Sequence, residues 1–63
     1  MKRRDLLRHM MQHGCRFVRE GGEHSIWENP ATNCRTPVPR HREVPDFTAA
    51  RICEQLGIPL PSR

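Results

Sequence analysis

An α+β sandwich, in the order helix, three antiparallel strands, helix, is what the sequence predicts, and three observations carry that expectation. Apolar residues recur at helical spacing in two blocks, Leu6, Leu7 and Met10 near one end and Ala49, Ile52, Cys53 and Leu56 near the other. Between the blocks lie three short segments that alternate with period two and are separated by Gly, Pro and Asn. The 63 residues suffice for one domain with a small core, because a chain of that size buries only about 60% of its unfolded surface. The economical packing puts both helices on one face of a three-stranded antiparallel meander.

The first helix is expected from about Arg3 to His13, with Leu6, Leu7 and Met10 on one side and Arg4, Asp5 and Arg8 on the other. Gly14 ends it, as a left-handed residue commonly does, and Cys15 and Phe17 are then expected to turn inward from the following strand. His9 and His13, four apart, either share a metal or face solvent; no carboxylate or cysteine completes a ligand motif, so neither a metal nor a cofactor is expected. The first strand runs from Cys15 to Glu20, with Cys15 and Phe17 on one face and Arg16 and Val18 on the other. Gly21 and Gly22 supply the reversal. The second strand, His24 to about Glu28, separates His24, Ile26 and Glu28 from Ser25 and Trp27. Burying the large indole of Trp27 sends His24 to the open face, unless a one-residue bulge inverts the order.

Residues 29–33, Asn-Pro-Ala-Thr-Asn, form a loop. The third strand, about Cys34 to Val38, contains Pro37 and so belongs at a sheet edge, with Cys34, Thr36 and Val38 on one face and Arg35 on the other. The open face then holds Arg16, His24 and Arg35 together. Residues 39–43, Pro-Arg-His-Arg-Glu, are a basic connector that either grips phosphate near the following helix N-terminus or is simply solvated. The second helix runs from Pro45 or Asp46 to Leu56, with Asp46 as N-cap or Thr48 in its place. Gly57 and Pro59 stop it and leave Ile58 to fold back onto the core. Phe47 lies off the apolar stripe, as a staple at the helix start or as an exposed anchor for a partner. Residues 59–63 are expected to be a loose tail.

Eleven basic residues against seven acidic ones give a formal charge of +4, and ten of the eleven are arginine. Arginine presents a planar fork of donors that fits phosphate oxygens and stacks on bases, so an anionic partner is favoured, nucleic acid first and an acidic protein surface second. A core this small encloses no deep cavity, which favours a large substrate on an open surface. Cys15, Cys34 and Cys53 form an odd set without a CxxC pair, and no apolar run has signal-peptide or membrane-spanning length. A reducing, cytoplasmic setting with free thiols and no membrane is expected.

His24 opens a strand directly after the Gly21-Gly22 turn, which makes it either a proton carrier on a fixed backbone or an exposed polar residue without chemistry. The combination of Lys2-Arg3-Arg4-Asp5-Leu6-Leu7, His13-Gly14-Cys15, Gly21-Gly22-Glu23-His24, Val38-Pro39-Arg40-His41 and Ile52-Cys53-Glu54-Gln55-Leu56-Gly57-Ile58 resembles the HicA family of toxins, over nearly the whole chain. The resemblance implies a double-stranded-RNA-binding-domain-like fold. It also implies an endoribonuclease that cuts messenger RNA until a cognate HicB antitoxin binds, with His24 matching the active-site histidine. Glu23 and Ser25 flank His24 here, where many members carry a serine before the histidine.

The chemistry expected on that basis is metal-independent cleavage of single-stranded RNA, with His24 handling a proton at the ribose 2′-hydroxyl or at the leaving oxygen. Arg16 and Arg35 are the first choices to stabilise the phosphate, and Arg40 or Arg42 stands in for either. His41 is a second proton carrier or a connector residue. A non-catalytic RNA-binding module and a protein-interaction module are the competing classes.

Overall fold

The computed structural model describes residues 1–61. Its elements are α1 (Arg3–Gln12), β1 (Arg16–Gly21), β2 (His24–Asn29), β3 (Cys34–Pro39) and α2 (Asp46–Leu56). The strands form one antiparallel sheet in the order β1-β2-β3, with both helices against one face. The predicted α+β architecture is therefore the observed one. The shortest dimension is 16 Å, the thickness of one sheet and one helical layer, so every functional group stays close to a surface.

The core joins the apolar stripes of both helices to the inner face of the sheet. Leu6 and Met10 of α1, and Ala49, Ile52, Cys53 and Leu56 of α2, meet Trp27 and Val38 from the strands. Burying a Leu- or Met-sized side chain contributes about 1.5–3 kcal/mol, so these few contacts carry much of the fold. Both helices end in the same hydrogen-bonded motif. Gly14 N–H donates to Met11 O and Cys15 N–H to Met10 O, while Gly57 N–H donates to Glu54 O and Ile58 N–H to Cys53 O. The residue after each glycine, Cys15 and Ile58, is thereby turned into the core. Of the tail expected to be loose, the Pro59 carbonyl accepts a hydrogen bond from His9 Nε2 at 2.8 Å, and residues 62–63 lie outside the described residues.

Three local expectations are corrected. Phe17 does not turn into the core; it is 48% exposed and packs edge-on against Trp27 from β1, an edge strand of the sheet. Val18 is the extra residue of a bulge between Phe17 and Arg19, so it does not share the Arg16 face by alternation. Pro45, rather than Asp46 or Thr48, is the N-cap of α2, with no side-chain cap; the fixed φ of proline sets up the first turn, and Asp46 inside that turn accepts from the N-terminal ammonium at 3.2 Å. Phe47 is 73% exposed, which leaves it outside the core.

The chain ahead of α1 is tied to the β3–α2 connector. Lys2 and Glu43 form an isolated antiparallel backbone β-bridge, Arg3 N–H donates to Arg42 O at 2.8 Å, and Val44 N–H donates to Met1 O at 2.8 Å. This pairing draws the basic start of the chain alongside the basic connector. Among the described residues no helix is long and apolar enough to cross a membrane.

Candidate nucleic-acid interface

β1 and β2 are joined by a two-residue turn, Gly22 and Glu23, not by the Gly21-Gly22 pair expected from the sequence; Gly21 ends β1 and pairs with His24, because the register brings the strands together one residue later. Gly22 takes φ +61° and Glu23 does not have positive φ, the pattern of a type II′ turn that needs glycine first. His24 is exposed and opens β2, in one cross-strand row with Gly21 and Pro39. Ser25, Trp27, Thr36 and Val38 are buried under the helices, so alternation along β2 sends His24, Ile26 and Glu28 to the opposite, open face. The bulge lies in β1 and leaves the period of β2 intact.

The backbone around His24 is braced from behind. Ser25 is 1% exposed, and its hydroxyl donates to the Glu20 carboxylate at 3.1 Å while accepting from Arg3 Nη2 at 3.1 Å. Arg3 Nε donates to the Pro39 carbonyl at 2.7 Å, and Arg40 Nε donates to Glu20 at 2.8 Å. Helix α1 thus holds both Ser25, which follows His24, and Pro39, which pairs with it. The Arg40 guanidinium holds the Glu20 carboxyl below the usual carboxylate range, with the Ser25 hydroxyl adding to the effect.

Arg16, Glu28 and Arg35 form a second row across the open face. Arg16 donates to Glu28 Oε1 through Nε at 3.1 Å and Nη2 at 2.9 Å, and Arg35 Nε donates to Oε2 at 3.0 Å. Hydrogen bonds from Arg35 first, then from Arg16, hold the Glu28 carboxyl low. The structure thus brings Arg16 and Arg35 onto the His24 face but ties both to Glu28, four residues along β2 from His24, which is about 13 Å of strand.

Arg40 and Arg42 are exposed, as the solvated reading of the connector has it, and they do not gather at the start of α2. With Lys2, Arg3, Arg4, Leu7 and Glu43 they line an open groove of about 600 Å³ beside the start of α1, not of α2. Its five basic residues and one acidic residue carry the same +4 as the whole chain. His41 is an exposed bend residue of the connector. A larger groove of about 860 Å³, lined by Met1, Asp5, His9, Asp46 and Leu60 among others, lies on the helical side away from His24. The His9 and His13 rings lie 4.7 Å apart and tilted by 58°, and among the described residues no three His, Cys, Asp or Glu side chains are grouped to hold a metal.

Arg19 is the residue that alternation missed. A strict period of two puts it on the Cys15 and Phe17 face; the bulge moves it to the open face, opposite Ile26. The sequence does hold a trace of this, because two apolar residues followed by two charged ones, Phe17-Val18-Arg19-Glu20, cannot satisfy one unbroken alternation.

The sequence model of one family, described as the HicA toxin of bacterial toxin–antitoxin systems, matches residues 3–58. No curated protein and no solved structure gives a significant match.

Proposed function

The chain belongs to the HicA toxin family of bacterial toxin–antitoxin systems, and on that footing we propose that it is an endoribonuclease toxin that cuts messenger RNA through His24 and is silenced by a HicB-like antitoxin. The observation that carries this reading is an exposed imidazole on a braced backbone. Ser25 behind it is 1% exposed and hydrogen-bonded on two sides, so His24 meets a large substrate from a rigid strand rather than from a free loop.

In the reaction, His24 takes the proton from a ribose 2′-hydroxyl, the oxygen bonds to its adjacent phosphorus, and the bond from phosphorus to the 5′-oxygen of the next nucleotide breaks. The products are a 2′,3′-cyclic phosphate and a 5′-hydroxyl, which receives a proton from solvent or from the histidinium. A positioned acid or base supplies about 10²–10⁴-fold. The basic groove at Arg40 and Arg42 carries the flanking phosphates, and an acidic antitoxin surface laid over the same charges competes with RNA.

Induced expression of the wild-type chain beside His24→Ala tests the reading. Growth arrest with decay of total messenger RNA in the wild type only, both proteins being folded, is the expected result. Equal behaviour with intact RNA overturns the catalytic reading and leaves a binding module.

A further inference from the structure

The geometry points to Arg19 as the residue that seats the reacting phosphodiester beside His24, an inference that rests on the ribonuclease reading above. After the bulge at Val18, Arg19 shares the open face with Ile26, and two residues further Gly21 shares that face with His24. The Arg19 side chain runs along β1 into that second row. Its Nη1 lies 3.1 Å from where a Cβ on Gly21 would stand, with Ile26 Cγ1 3.3 Å from the same point. The bare backbone of Gly21 is what gives the guanidinium room next to the histidine.

Availability separates Arg19 from the other arginines near the site. Arg16 and Arg35 are engaged by Glu28, Arg40 by Glu20, and Arg3 by Ser25 and Pro39. Arg19 makes no ion pair or hydrogen bond with any described side chain, Glu23 of the neighbouring turn included. An arginine already satisfied by a carboxylate must break that pair to hold a phosphate, whereas Arg19 meets the anion with its fork of donors free. As the 2′-oxygen adds to phosphorus, charge grows on the non-bridging oxygens, and a guanidinium fixed there stabilises it more than the ground state.

The test uses the full chain and a short single-stranded RNA. Cleavage is followed at saturating RNA for wild type, Arg19→Gln, Arg19→Lys and Arg16→Gln, and binding is followed in the His24→Ala background across a salt series. The expected result is a drop of about 10²–10³-fold in rate for Arg19→Gln, partial recovery in Arg19→Lys, and a far smaller change for Arg16→Gln. Binding of His24→Ala/Arg19→Gln should show a log K against log salt slope shallower by about 0.7, one phosphate contact. Wild-type cleavage with an Arg19→Gln rate within a few fold overturns the assignment and leaves the His24 reading intact. Absence of wild-type cleavage overturns the His24 reading instead; a shallower slope then retains Arg19 as a phosphate contact, and an unchanged slope removes it.

Discussion

Arg3 Nη2 donates to Ser25 Oγ at 3.1 Å, joining the first turn of α1 to the buried strand residue that follows His24. The same guanidinium reaches the Pro39 carbonyl opposite His24, so one side chain spans the two positions that fix the histidine's backbone. Removing it leaves the Pro39 carbonyl without its donor and Ser25 with Glu20 alone. Arg3→Ala should therefore cost about 1.5–3 kcal/mol, the range for hydrogen bonds to a charged group. Urea unfolding checks this, and a loss below a few tenths of a kcal/mol would show that the brace is not structural.

Glu28 predicts an acid limb in the stability profile. Its folded carboxyl titrates below the ordinary value because Arg35 and Arg16 favour its charged form. Above the unfolded value of about 4.3 both states are ionised and the contribution is fully present. As the pH falls below it, the unfolded chain takes up a proton that the folded chain refuses, so stability drops until the folded group also protonates. Thermal melts between pH 6 and pH 3, taken as about that window, should fall more steeply for wild type than for Glu28→Gln. The arginines are more than half exposed, which keeps the effect modest.

Both helices, the presence of a tight reversal at Gly22 and the face of His24 were legible because each is decided locally or by one dominant burial, whereas the second turn residue proved to be Glu23 and not Gly21. The stripe Ala49, Ile52, Cys53 and Leu56 has no other helical reading, and Trp27 outweighs every other residue of β2 in apolar area. What period two does not encode is pairing. The bulge at Val18 is settled by how β1 meets β2, and it moves Arg19 and Glu20 to faces that alternation denies them. The basic groove was hidden for a similar reason, since it depends on the backbone of Lys2 pairing with that of Glu43 across the chain. Glu28 was placed on the His24 face by alternation, but its position between two arginines needs the register of all three strands.

The groove predicts where the salt dependence of RNA binding resides. Arg4→Gln/Arg42→Gln removes two exposed groove charges, and Arg8→Gln/Arg51→Gln removes two exposed charges outside it. The first pair should flatten the log K against log salt slope by about 0.7 for each lost phosphate contact on single-stranded RNA, while the second leaves it nearly unchanged. Equal flattening in both would mean that overall charge, and not the groove, binds the strand.

Thiol accessibility provides a check on the packing. Cys34 is exposed, whereas Cys15 and Cys53 are buried, and burial pushes both of their thiols up. The thiolate is the reactive form, so a thiol reagent should modify Cys34 quickly in the native protein and the other two only on unfolding. Mass spectrometry of the labelled chain distinguishes this from uniform labelling, which would contradict the burial of Cys15 and Cys53.

Gly21 at the end of β1 and Gly22 in the turn should fail in different ways. Gly22 sits at φ +61° with nothing within 4 Å of an added Cβ, so Gly22→Ala pays only for a left-handed alanine, about 1–2 kcal/mol of stability. Gly21 has no positive φ, and its Cβ would instead meet Arg19 Nη1 at 3.1 Å and Ile26 Cγ1 at 3.3 Å. The flexible end of Arg19 gives way first, so Gly21→Ala should stay within about 1 kcal/mol of wild type in stability while losing cleavage, because the guanidinium is displaced from the His24 row. A double-mutant cycle isolates that cause. If Gly21 acts through Arg19, adding Gly21→Ala to Arg19→Gln lowers the rate no further. Additive losses would instead mean that Gly21 matters through the turn itself.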